Sequence, residues 1–152
     1  LIALLQANQR LLVLHNHLRR DHRKPGLRLD LRLVRAAARQ ASDLAAHDLL
    51  THAGFDGASL VTRLERVGYA PIRVAENAAV QWPLPPSRPD PRTPELVLDG
   101  WWSSPAHRGN LLGSYSDFGA AYADTPRGKR YWVAIYAQRS PSKHASESTV
   151  AH

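Results

Sequence analysis

His52, Glu76 and His107 are the residues of this chain best placed by type and setting to do chemistry together. They lie in three short stretches: Thr51-His52-Ala53-Gly54-Phe55-Asp56-Gly57, Ala75-Glu76-Asn77, and Trp101-Trp102-Ser103-Ser104-Pro105-Ala106-His107-Arg108-Gly109-Asn110. Each sets an imidazole or a carboxylate beside glycine, proline or a helix-starting serine, where the end of an element holds a side chain in a fixed direction. Two imidazoles and a carboxylate delivered in this way suit a divalent cation or acid/base chemistry. Taken singly, each residue also has a plainer use. His52 alone reads as a surface or capping residue, Glu76 as a brace for neighbouring backbone or for Asn77, and His107 as a solvated helix-end residue.

The elements that must position these residues follow from periodicity. Leu4, Leu5, Leu11, Leu12, Leu14 and Leu18 predict a first helix ending near Asp21, which Pro25-Gly26 breaks. Asp30 is placed to cap a second helix with the stripe Val34, Ala38, Ala41, Ala45 and Leu49. Asp56 is expected to cap a third helix through Arg66, ended by Gly68. Ile72 to Val80 reads as a strand carrying Glu76. Six prolines between Gln81 and Pro94 then exclude helix and central strand and predict an extended loop. Thr93-Pro94 and Ser104-Pro105 each signal a helix start, the second helix bearing His107. Phe118–Ala123 and Tyr131–Gln138 read as strands of a hairpin turning at Thr125-Pro126-Arg127-Gly128, with Tyr131, Trp132 and Tyr136 filling the core. The order of helices and strands fits a sheet covered by helices on both faces.

The same stretches carry a resemblance. Leu14-His15-Asn16-His17-Leu18-Arg19 resembles the LHNxxR opening of the CAP superfamily, which includes cysteine-rich secretory proteins, venom antigens and plant pathogenesis-related proteins. HxGxDGxSxxxRLxxxGY from His52 to Tyr69, AEN at Ala75 to Asn77, WxxSPxHRxNLL from Trp101 to Leu112 and YWV at Tyr131 to Val133 match its bacterial branch. The match runs in order from about Leu11 to Gln138. It implies an α+β fold, a three-layer α-β-α sandwich with a mostly antiparallel central sheet. The CAP domain is expected over residues 1–138, with 139–152 a disordered C-terminal tail.

The resemblance also implies a site in which His52 and His107 are the family's two histidines and Glu76 its first glutamate. Many eukaryotic relatives add a second glutamate three residues beyond a tryptophan; here that position is Ser104. His52, Glu76 and His107 are therefore the expected ligands for zinc or another divalent cation, and the catalytic residues if the protein is an enzyme. No organic cofactor is expected. Water activation needs a further base, and no motif sets Glu95 or Asp99 in that role. Ser103 and Ser104 lack a glycine-flanked nucleophile elbow, and Ser104 reads as a helix cap. Asp56, Ser59 and Arg63 read as securing the loop and third helix, and Asn16 and Arg19 as buried hydrogen-bonding positions. Trp82 on the proline-rich loop either pins the loop or contacts an apolar ligand, as some CAP proteins bind sterols or fatty acids.

Composition bounds the partners. At 152 residues and 43% hydrophobic the chain can fill one core, and without cysteine it must hold that core by packing alone. The net charge of +7 comes from arginine, since only Lys24, Lys129 and Lys143 are lysines. Arg19, Arg20, His22, Arg23 and Lys24 form a basic cluster, read as a solvated helix end complementing the macrodipole in preference to a surface for phosphate, teichoic acid or anionic lipid. No specific nucleic-acid surface is expected, because no aromatic residues interleave with it. Leu1 to Leu14 has neither the pattern of a secretory signal nor a membrane span, and the lack of methionine suggests a mature or trimmed product. The resemblance implies an extracellular or envelope protein of undetermined oligomeric state. It leaves three readings of function: a module binding a lipid or envelope ligand at a metal-capable cleft, a metal-dependent hydrolase using that cleft, and a structural or signalling domain whose cleft is vestigial.

Overall fold

The computed structural model describes residues 1–140. Its elements run α1 (Ile2–Asp21), β1 (Arg28–Leu29), α2 (Leu31–His47), α3 (Leu60–Glu65), β2 (Pro71–Gln81), α4 (Pro94–Ser103), α5 (Pro105–Leu111), β3 (Asp117–Asp124) and β4 (Arg130–Arg139). The sheet order is β1-β3-β4-β2, antiparallel except where the two-residue β1 runs beside β3. The long central β4 carries Val133, Ile135 and Ala137 to one face and Trp132, Ala134 and Tyr136 to the other, all fully buried. α2 and α3 cover the first face, and α1, α4 and α5 cover the second. The expected three-layer α+β sandwich is what forms.

Local chemistry accounts for most boundaries. Asp30 accepts from the Arg32 amide to start α2, and Thr93 accepts from the Leu96 amide to start α4. The hairpin turns at Gly128, whose φ of +89° suits glycine. Four expectations are corrected. α3 is capped by Ser59, whose hydroxyl accepts from the Thr62 amide; Asp56 instead accepts from the Ala58 amide and pairs with Arg66. The deep stripe of α2 is Leu33, Ala36, Ala37, Ala41 and Leu44, and Leu49 falls beyond the helix, exposed. The Ser104 hydroxyl makes no capping bond to α5. Arg19 leaves the basic cluster for the interior, where its other reading, as a buried hydrogen-bonding position, holds. β1 was not foreseen, because two residues show no alternation. Of the expected tail, residues 141–152 lie outside the described residues.

Without disulfides, buried polar ties hold the layers. Arg19 is 1% exposed and donates to the carbonyls of Pro25, Leu111, Gly113 and Tyr115. Asn8 bridges both backbone groups of Ala120, and Asn16 both those of Leu27. His15 is fully buried, its Nδ1 2.7 Å from the Leu11 carbonyl and its Nε2 2.7 Å from the Tyr136 hydroxyl. A carbonyl only accepts, so in the neutral ring the proton sits on Nδ1 and Nε2 accepts from Tyr136. β3 also approaches α2 very closely: a Cβ on Gly119 would stand 2.4 Å from the Val34 nitrogen.

Burial, the chief cause, lowers the His15 pKa to about 4, and Arg19 adds to the effect, whereas the hydrogen bond to Leu11 opposes it. The unfolded chain binds this proton near 6.5 and the folded one does not, so stability falls as pH drops from 6.5 towards 4. The shift corresponds to about 3 kcal/mol. His15→Gln keeps a donor and an acceptor without a titrating ring. Urea unfolding should show wild type losing about that much more stability than the variant between about pH 7 and pH 4. Gly119→Ala should cost about 1–3 kcal/mol in the same assay at neutral pH, because backbone must shift to admit the methyl group.

Candidate functional site

The residues expected to share a site are distributed about the edge strand β2, where successive side chains point to opposite faces. Glu76 turns towards the α3 layer and Asn77 towards α5, and each ties one histidine segment to the strand.

On the Glu76 side the tie is ionic. The Glu76 side chain is only 2% exposed, and Arg63 Nη2 donates to Oε2 at 2.8 Å while His52 Nδ1 stands 3.0 Å from Oε1. The same Nη2 donates to the His52 carbonyl at 3.0 Å, so one guanidinium fixes both the carboxylate and the backbone of the histidine. The loop that delivers His52 turns at Gly57, with φ of +82°. Asp56 then anchors it to Ala58 and Arg66. The hydrogen bond that His52 donates to Glu76, the main cause, raises the His52 pKa above its ordinary value; partial burial and Arg63 pull the other way.

On the Asn77 side the tie is neutral. The Asn77 amide donates to the His107 carbonyl at 3.1 Å and accepts from Asn110 at 2.8 Å, which sets the first turns of α5 against the strand. The His107 imidazole turns to Ser104, Nδ1 to Oγ 2.9 Å. Ser104, expected as a cap, thus braces His107 at the position where relatives carry the second glutamate. A groove of about 280 Å³ runs beside His107 between β2 and α4, past Ala79, Gln81, Leu96 and Gly100.

The structure brings His52 and Glu76 into contact and seats His107 by its backbone one residue along the strand. Among the described residues, no three His, Cys, Asp or Glu side chains group closely enough to hold a metal ion. Glu95, set aside as a base, pairs with Arg10 at 2.6 Å. Trp82 lies apart from the histidines. It follows Gln81, five residues from Glu76 or about 17 Å along an extended strand, and is 61% exposed with Lys129 Nζ 4.2 Å from its ring centre. Arg63, read as a structural residue, is in fact the counter-charge at the centre of the site. Its spacing of thirteen residues from Glu76 carries no local signal of that pairing.

The sequence profile of the cysteine-rich secretory protein family, CAP, matches residues 12–136. The chain belongs to this family. Comparison with curated proteins by sequence gives no match. Among solved structures, this CAP domain is similar to an outer surface protein from Borrelia burgdorferi, with a TM-score of 0.75 and 20% identity over 87% of this chain and 92% of that one. It is equally similar, at 0.75 and 22% identity, to an extracellular SCP-domain protein from Bacillus anthracis, covering 88% of this chain but only 41% of that one. A cysteine-rich secretory protein from Staphylococcus aureus gives 0.63 and 18% identity over 87% of this chain and 39% of that one. At these identities the likeness is one of fold. No helix among the described residues is long and apolar enough to cross a membrane.

Two outcomes follow for the CAP site. Glu76→Ala leaves the buried Arg63 guanidinium without its counter-charge and should cost about 3–5 kcal/mol in urea unfolding. His52→Ala removes a half-exposed ring and should cost under about 1 kcal/mol. Because the folded His52 pKa is raised, the stability from its contact with Glu76 is fully present below about pH 6.5 and is lost as pH rises through the folded value. Proton NMR titration should place His52 above the ordinary histidine value of 6.5 in wild type and nearer that value in Glu76→Gln.

Proposed function

We propose that this CAP domain is a binding module working outside the cell or in the cell envelope, and not a hydrolase. The observation carrying the reading is that both oxygens of Glu76 are engaged, one by Arg63 and one by His52. Engaged at both oxygens and only 2% exposed, Glu76 is not presented to an attacking water, and hydrolysis needs a base within reach of that water. With Ser104 in place of the second acidic group, the His107 half of the cleft has a hydroxyl and no carboxylate. The extracellular or outer-surface descriptions of the Bacillus and Borrelia structures support the location.

An apolar or anionic amphiphile is the ligand class favoured. A groove of about 590 Å³ opens beside Trp82 and is lined by Ala45, Ala46, Pro83 and Pro126, with Arg127 as a cation and Lys129 paired with the lining carboxylate Asp48 at 2.6 Å. Its size and apolar walls suit an acyl chain with a negative head. For a divalent cation, the donor set is two imidazoles, His52 and His107, backed by Glu76 and Ser104. Such a set falls short of the three protein ligands of most catalytic zinc sites. Zinc bound there would supply charge and a Lewis acid, and this chain's own part would be to orient the rings.

Calorimetry should give weak, reversible zinc binding that is lost in His52→Ala and His107→Ala; affinity unchanged from wild type in both variants would exclude these ligands. A fluorescent fatty acid should bind wild type and bind Trp82→Ala at least several-fold more weakly. Zinc-dependent turnover of peptide, ester, phosphodiester or peptidoglycan substrates, abolished by His52→Ala or Glu76→Ala in folded protein, would make the hydrolase the better reading.

A further inference from the structure

Arg63 is over nine-tenths buried, yet only one of its three nitrogens is used. Nη2 spends both of its protons on Glu76 and the His52 carbonyl. Nε and Nη1 are buried and find no hydrogen-bond partner among the described residues. An arginine with two unmet donors in the interior is costly unless something else accepts from them.

Arg63 lines a cavity of about 100 Å³ between α2, α3 and the Gly54–Asp56 turn, and Glu76 is not among the residues that line it. Arg35, Arg39 and Arg66 also line it, against the carboxylates Asp43 and Asp56. Asp56 is committed to Arg66 at 2.6 Å and lies 3.9 Å from Arg39. Four guanidiniums therefore face two carboxylates, and the excess of donors is positive. A single water needs roughly 10–15 Å³ on this scale. The space admits one small oxyanion with water and excludes an acyl chain.

We propose that this cavity is an anion site that takes a phosphate group. The geometry of the donors selects the shape of the anion. A carboxylate reads arginine best through a planar fork, either Nε with Nη2 or Nη1 with Nη2. Both forks of Arg63 include Nη2, whose protons are spoken for. What remains are single, divergent donors, with Arg35 and Arg39 reaching in from the exposed rim. A tetrahedral oxyanion, with acceptors spread in three dimensions, meets such a set better than a planar one. The site stands independently of the ligand class favoured for the Trp82 groove, and lies on the α2 side of the sheet, away from the basic end of α1.

The test uses the folded protein and inorganic phosphate at constant ionic strength, read by calorimetry and by the thermal midpoint. Saturable binding is expected, weakened at least tenfold in Arg35→Gln/Arg39→Gln, whose changes are on the exposed rim. Arg20→Gln/Arg23→Gln removes the same charge from the other side of the sheet and should leave binding within about twofold. Glycerol 1-phosphate binding more tightly than inorganic phosphate would identify a polymer-borne phosphate as the source, and the reverse order a free anion. No saturable binding, equal loss in the two double variants, or acetate binding as tightly as phosphate would overturn the proposal.

Discussion

The arrangement of this CAP domain depends on the alternation of one edge strand. In β2, Glu76 and Asn77 necessarily point to opposite faces, and each meets a different layer of helices. The constraint makes the two histidines unequal. His52 is held through a charge that cannot be left alone in the interior, because burying a carboxylate without its guanidinium is expensive. His107 is held through amide hydrogen bonds at its backbone, which leave the ring free to turn to Ser104. One half of the cleft is thus tied to stability, and the other is adjustable.

That inequality shapes the chemistry. A glutamate engaged at both oxygens orients the neighbouring imidazole, as the carboxylates behind metal-bound histidines do. The surface offers two other features of different character, a broad groove beside Trp82 and a small arginine-lined cavity beside Arg63. They lie apart from the His107 groove, so the domain has more than one place at which an envelope component could be held.

Much of the fold was legible because its signals are local. The Asp30 and Thr93 caps, the prolines after Gln81 and the glycine of the hairpin each act within a few residues, and the structure places them as the pattern implies. Errors arose where two local signals compete: Asp56 and Ser59 are both good caps, and the Asx turn onto Ala58 claimed the first. The contact between His52 and Glu76 followed from the resemblance of their motifs and not from spacing. The centrality of Arg63 could not be read at all, since it rests on which face of β2 the carboxylate takes. His15 was likewise hidden: a histidine among leucines on a helix shows nothing of the tyrosine 121 residues later that completes it.

The distance in sequence of those ties has a consequence for synthesis. Within this domain α1 is made before the sheet, but its buried polar groups are completed by residues about a hundred positions later: Asn8 by Ala120, Arg19 by Leu111 to Tyr115 as well as by nearby Pro25, His15 by Tyr136. Until β3 and β4 emerge, the nascent helix has an arginine, an asparagine and a histidine without the acceptors that make their burial tolerable, and its apolar face has no sheet to lie on. Closure over about a hundred residues must precede any of the stabilisation, which is the topology of a slow, all-or-none folder. A chain stopped short of Tyr136 would not be a smaller version of this domain but an unfolded one.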